Sequence, residues 1–228
     1  MVCGWLTPKL SVGKGLPALN KYIHILIRRL SDVGIMFNNL SKYNIILASN
    51  SPRRRELLGQ LGINYTVKTI DDIDESFPDT LHNDAVAEYI ANNKADAYLQ
   101  TMSENDLIIT ADTIVCVEGE ILGKPEDAED ARRMLRKLSG REHDVVTGVV
   151  VATKGRKETF SVTTRVRFAN LTDEIIAYYI ENFKPFDKAG AYGIQEWIGY
   201  VGVESINGSF FNVIGLPVQR LCQVLMTF

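Results

Sequence analysis

Cysteine is scarce in this sequence. Cys3, Cys116 and Cys222 are odd in number and form no Cys-x-x-Cys pair, which excludes a disulfide framework and a thiolate zinc site and points to a reducing, cytoplasmic compartment. Long apolar runs are missing as well: no stretch approaches the roughly 20 residues that a membrane-spanning helix needs, so no membrane partner is expected. Neither sign of charge dominates. Lys and Arg number 25 against 28 Asp and Glu, a formal net charge of -3 with a pI near 5.7. That balance excludes a protein that coats nucleic acid but leaves room for a local basic pocket. Internal repeats and low-complexity linkers are absent. What is there is a chain of 228 residues, 46% hydrophobic and 23% charged, long enough for a substantial core.

Residues 1–43 differ from the rest of the chain. Segment 1–20 is rich in Gly, Pro and Lys without a period, and 21–31 fits one amphipathic helix. A secretory signal needs a longer apolar region and a small-residue cleavage site. Met36 lies just before the first strand and makes a natural start. We therefore expect 1–43 to be an extension, disordered or the product of a start assigned too early, with 1–35 dispensable. A chain beginning at Met36 should retain its activity; loss of folding would refute this.

From residue 44 the pattern alternates between strand-like and helix-like segments. Strands are expected at 44–49, 65–69, 107–118, 143–153 and 158–168, with Glu118-Gly119-Glu120 as a hairpin turn into Ile121-Leu122. Helices are expected at 52–61, 83–102, 127–138, 172–182 and 217–227, the last beginning at Pro217. The Gly-rich stretch 189–214 reads as strand-like. Not every strand is separated from the next by a helix, so the expected fold is α/β, a mixed twisted sheet flanked by helices, with two lobes around a central cleft.

The most informative stretch is Ser49-Asn50-Ser51-Pro52-Arg53-Arg54-Arg55, directly after the apolar run Ile45-Ile46-Leu47-Ala48. A short buried strand runs into a turn that opens a helix, with Ser51 as N-cap and Pro52 in the first turn. Amide N–H groups at a helix start favour an anion, whereas arginines there oppose the helix dipole. Two hydroxyls and a run of arginines at that point read as a phosphate cradle. Asp112 lies within or near the end of the apolar run 107–118, where an isolated carboxylate is costly unless a cation or hydrogen bonds compensate. That position suits a metal ligand or general base, and equally a carboxylate paired to a helix start. Taken singly, Lys94, the Gly123-Lys124-Pro125 turn, Glu75 in its acidic loop and His143 at a strand start all have ordinary structural explanations. Gln195, at the end of Ala189-Gly190-Ala191-Tyr192-Gly193-Ile194-Gln195, offers an amide suited to a base edge.

Read in order, Ser-x-Ser-Pro-Arg-Arg, a helix lysine, Ala-Asp-Thr, Gly-Lys-Pro, Ser139-Gly140-x-x-His143-x-Val145-x-Thr147, the 189–195 run and Asn212-Val213-x-Gly215-Leu216-Pro217 resemble the Maf family of septum-formation-inhibitor-like nucleoside triphosphate pyrophosphatases over about residues 44–226. The resemblance implies hydrolysis of a nucleoside triphosphate to its monophosphate and pyrophosphate, a divalent cation (Mg2+ or Mn2+), a fold like that of inosine triphosphate pyrophosphatases, and a homodimer. Carried over by motif, Asp112 matches the proton acceptor and a metal ligand, and Glu75 matches an acidic, metal-side position. Ser49, Arg54, Lys94 and Lys124 match phosphate-side positions, and Arg53, Thr113 and Gln195 match positions of substrate choice in the pattern of the dTTP and UTP branch. Two rivals stand beside this expectation: a pyrophosphatase for another nucleotide such as 7-methyl-GTP, and a non-catalytic nucleotide-binding regulator of septum formation.

Overall fold

The computed structural model describes residues 37–70 and 73–228. The expected helix over 21–31 and the start at Met36 lie outside them. Of the first compact unit, Met1–Asn38, only Phe37 and Asn38 are described; the fold is that of the second, Asn39–Phe228. Residues 39–43 pack with this second unit: Leu40 is buried and Asn39 donates its amide to the Leu225 carbonyl at 2.8 Å.

In chain order the elements are β1 (Asn44–Leu47), α1 (Pro52–Gly59), β2 (Thr66–Val67), α2 (Asp84–Leu99), β3 (Asp106–Val117), β4 (Glu120–Leu122), α3 (Ala128–Leu138), β5 (Glu142–Ala152), β6 (Lys157–Phe168), α4 (Asp173–Phe183), a 3-10 turn (Ala189–Ala191), α5 (Trp197–Gly202), β7 (Val203–Asn207), α6 (Phe210–Ile214) and α7 (Val218–Leu225). The sheet runs β2-β1-β3-β5-β6-β7, with β4 on β3. It is mixed, as expected: β1 is parallel to β2 and β3, and the other pairs are antiparallel. Asp127 and Thr172 cap α3 and α4 with their side chains, as turn chemistry dictates.

The two faces of the long strands carry separate cores, because successive side chains point to opposite sides. On one face Ile108 and Ile114 of β3, with Val146, Val150 and Ala152 of β5, meet Val86, Ala87, Ile90, Ala91 and Ala95 of α2. On the other, Val115, Val117 and Val145 meet Leu135 and Leu138 of α3 and Ile176 and Tyr179 of α4. These cores are two layers on one continuous sheet within a single compact unit, Asn39–Phe228, in place of the two lobes expected. Gly148 brings α2 close to the sheet: a Cβ there would overlap the backbone C and O of Ala87 and lie 2.6 Å from Glu88 N, so only glycine permits this approach.

Along its far edge, β3 has two short partners with a gap between them. β1 pairs with Asp106 to Ile109 and β4 with Val115 to Val117, while β5 continues unbroken along the opposite edge from Ile108 to Cys116. The centre of β3, Thr110 to Ile114, is thus flanked by a strand on one side only. Asp112 and Thr113 occupy this window, so Asp112 sits in mid-strand rather than near its end.

The strand-like reading of 189–214 is corrected. That stretch holds the 3-10 turn, α5, the edge strand β7 and α6. Gly190, with φ 67°, breaks the chain instead of extending it. Ser209 accepts from Asn212 N and starts a helical turn among residues whose composition favours strands. Pro217 precedes the last helix as its cap instead of opening it.

Candidate active site

The turn after β1 forms as its chemistry predicts. Ser51 caps α1, accepting from Arg54 N at 3.5 Å, while Ser49 Oγ accepts from Ser51 N at 3.2 Å. Arg54 reaches back across the sheet window. Its Nη2 donates to Thr113 Oγ1 at 3.0 Å, Nε to the Gly215 carbonyl at 2.8 Å, and Nη1 to Ser49 Oγ at 3.5 Å. Thr113 in turn shares a hydrogen bond of 3.0 Å with Thr147, whose hydroxyl donates to the Asn212 carbonyl at 3.1 Å. Burial lowers the Arg54 pKa from its ordinary value and Arg53 pushes the same way, while the charge of Asp112 pulls upward; a guanidinium in this setting stays charged.

On the opposite side of β3, Asp112 is 8% exposed and its Oδ1 accepts from Lys94 Nζ at 2.7 Å. The same ammonium lies 2.8 Å from Glu75 Oε1, and Lys124 Nζ lies 3.6 Å from Glu75 Oε2. Burial works against the Glu75 charge, but hydrogen bonds and charge from Lys94 and Lys124 outweigh it and hold the carboxyl below the usual range. The buried Asp112 carboxylate is therefore compensated by a helix lysine, not by a helix start.

The nine residues carried over by motif (Ser49, Arg53, Arg54, Glu75, Lys94, Asp112, Thr113, Lys124 and Gln195) all line one cavity of about 460 Å³. That is within the roughly 300–1,000 Å³ of small-molecule sites. Its lining includes the cations Arg54, Lys94 and Lys124 together with Arg53, Asp187, Lys188 and Gln195, and the Gln195 Oε1 is buried with no hydrogen-bond partner. The sequence reading missed Asp187 and Lys188. Arg53 Nη1 donates to Asp187 Oδ2 at 2.6 Å, so part of the electrostatic cost of an arginine at this helix start is met by the protein itself. The only signal was their place just before the Ala189–Gln195 run.

His143 is structural. It is buried, bonded at 2.8 Å to the Tyr192 hydroxyl through Nε2 and set edge-on to Phe168. Burial pushes its pKa down to about 4 against the pull of Asp144. The unfolded chain, with a histidine near 6.5, binds this proton first as pH falls, so the folded state loses stability between about pH 6.5 and 4, by roughly 3 kcal/mol in all. The variant His143→Gln should show a shallower loss of melting temperature over that window than the wild type; equal slopes would refute the assignment.

Among the described residues no helix is long and apolar enough to cross a membrane. A dTTP/UTP pyrophosphatase of Phocaeicola vulgatus is 60% identical over 82% of this chain and 96% of its own. Another, from Parabacteroides distasonis, is 55% identical over 85% of this chain and 100% of its own. The solved structure of the Staphylococcus aureus Ham1 protein is 17% identical, covering 81% of this chain and 98% of that one at a TM-score of 0.44. The sequence profile described as Maf-like protein matches residues 44–228, the whole of the region that carries the cavity, and the chain belongs to the Maf family.

Proposed function

We propose that this protein hydrolyses dTTP and UTP to the monophosphate and pyrophosphate, by attack of water at the α-phosphorus. One observation carries the reading: a single cavity brings cations for a triphosphate together with a buried carboxylate and polar groups suited to a base. The names of the two relatives, dTTP/UTP pyrophosphatases, support the same substrates.

The attack brings an oxygen nucleophile toward several negative charges, so offsetting that charge is the main catalytic task. Arg54, Lys94, Lys124 and Ser49 bind and orient the triphosphate. Asp112 accepts the proton of the attacking water. Lys94 holds the Asp112 carboxylate in place through its Nζ. Arg53, Thr113 and Gln195 select the base: Gln195 Oε1 lacks a partner and can accept from the ring N–H of uracil or thymine, while Arg53 donates to a ring carbonyl. A wrong base leaves those buried groups unpaired.

The donor set suits a hard divalent cation of the Mg2+ or Mn2+ class. Asp112 and Glu75 both lie within 2.8 Å of one ammonium nitrogen, so two carboxylates already converge on a positive charge. Among the described residues no group of three His, Cys, Asp or Glu comes together, so the pair would hold a cation in company with phosphate oxygens, the usual arrangement for Mg2+. Held there, the cation would draw negative charge from the phosphates. The reading also places the protein in the cytoplasm.

Pyrophosphate release from a panel of nucleoside triphosphates, with Mg2+, Mn2+ or chelator, tests the proposal. Release from dTTP and UTP that chelator abolishes is the expected result. Release confined to purine or methylated nucleotides would overturn the substrate assignment, and no release at all would overturn the enzyme.

A further inference from the structure

Arg53 is not a free cation. Its Nη1 donates to Asp187 Oδ2 at 2.6 Å and its Nη2 to the backbone carbonyl of the same residue at 3.2 Å. This two-pronged grip fixes the guanidinium plane as well as its position. Behind it lies a chain of charge. Asp187 Oδ1 accepts from Lys188 Nζ at 2.7 Å, and that ammonium, buried, lies 3.1 Å from Glu196 Oε1. The other oxygen of Glu196 accepts from the Tyr179 hydroxyl, which itself accepts from Gly193 N at 3.0 Å.

The chain therefore starts at Arg53 on α1, runs through Asp187, Lys188 and Glu196, and ends on the backbone beside Gln195. The loop has no slack: a Cβ on Gly193 would lie 2.9 Å from Glu196 Cδ, 3.0 Å from Lys188 Cε and 3.1 Å from Gln195 Nε2. Burial works against the Asp187 charge, but Lys188 and Arg53 hold its carboxyl below the usual range, so it stays ionised as their acceptor at neutral pH.

We propose that Asp187, backed by Lys188 and Glu196, is a positioning residue that locks Arg53 and Gln195 at a fixed separation as the two walls of a slot for the pyrimidine base. The inference rests on the base-reading role proposed for Arg53 and Gln195. The guanidinium has five N–H donors. Asp187 takes two and offsets the charge, which leaves three aimed donors and removes most of the pull toward the triphosphate. Arg53 thereby reads direction, while Arg54, Lys94 and Lys124 supply charge. Released from Asp187, Arg53 would act as one more mobile cation for phosphate.

Binding of UMP, GMP and pyrophosphate to the full chain, measured by titration calorimetry, separates these roles without requiring turnover. In Asp187→Asn the preference for UMP over GMP should fall about tenfold or more, while pyrophosphate binds as well as in the wild type or better. Arg53→Lys, which keeps the charge and loses the fork, should lose the same preference, and it decides the matter if Asp187→Asn fails to fold. A UMP preference kept within about twofold in these variants, an equal weakening of all three ligands, or a wild type without a preference would each overturn the proposal. A wild type that prefers UMP, loses that preference in both variants, yet releases no pyrophosphate from any triphosphate would uphold the slot and refute the hydrolase.

Discussion

Asp112→Asn should lower turnover of UTP by roughly a hundred- to ten-thousand-fold, the span that a positioned proton acceptor supplies. The substitution keeps the size and shape of the side chain. It removes the negative charge that faces Lys94 Nζ at 2.7 Å and the basic site that takes the proton of water. The fold should survive, because Lys94 keeps Glu75 as a partner at 2.8 Å and is not left as an unpaired buried charge. Arg54, Lys94 and Lys124 keep their hold on the triphosphate, so the larger part of the loss should fall on kcat. Turnover within about tenfold of the wild type would remove Asp112 from the proton-accepting role.

Gly148→Ala should be strongly destabilising, though the residue touches no ligand. Gly148 lies opposite Asp112 in the β3–β5 ladder, and its missing Cβ is the space in which the backbone of Ala87 and Glu88 rests. Helix backbone cannot step aside as a flexible side chain can. Overpacking of this kind costs about 1–3 kcal/mol or more, a drop of roughly 2–12 °C in melting temperature for a domain of this size. Activity should fall as well, since any shift of α2 carries Lys94 away from Asp112. Gly155→Ala is the control: a Cβ in that hairpin turn meets nothing within 4 Å. Equal melting temperatures for the two variants would show that α2 yields freely.

The parts of this site that were legible in the sequence are those whose geometry is decided locally. Ser51, Pro52 and the arginines specify a capped helix start through neighbours a few residues away, and that turn forms as its residues dictate. The lysines and Asp112 were legible mainly through the order of their motifs; why they meet is a matter of strand register and of Gly148. Asp187 and Glu196 were illegible for a different reason. The partner of Asp187 is 134 residues away, and an acidic residue in a polar loop carries no local mark of such a contact. The stretch 189–214 misled because its aromatic and β-branched residues favour strands when taken alone. Tertiary partners override that preference: Asn212, buried on α6, donates its amide to the Val145 carbonyl at 3.0 Å and to Thr164 Oγ1 at 3.1 Å.

The window in the edge of β3 also bears on the order in which the molecule assembles. Its β4 side is joined to β3 by the two-residue turn Glu118-Gly119, a connection of the kind that closes in about 1–10 μs. Its β1 side is held by pairs such as Asn44 with Asp106, 62 residues apart, and parallel pairing across such a span is slow because the loop entropy comes first. The β3-β4-β5-β6 ribbon can therefore exist before any binding site does. β1 leaves the ribosome before all the other described strands yet must wait for β3, and it brings Ser49, Arg53 and Arg54 with it. The cavity is thus among the last features to form, so a chain arrested short of that step would hold most of its sheet and none of its affinity for phosphate.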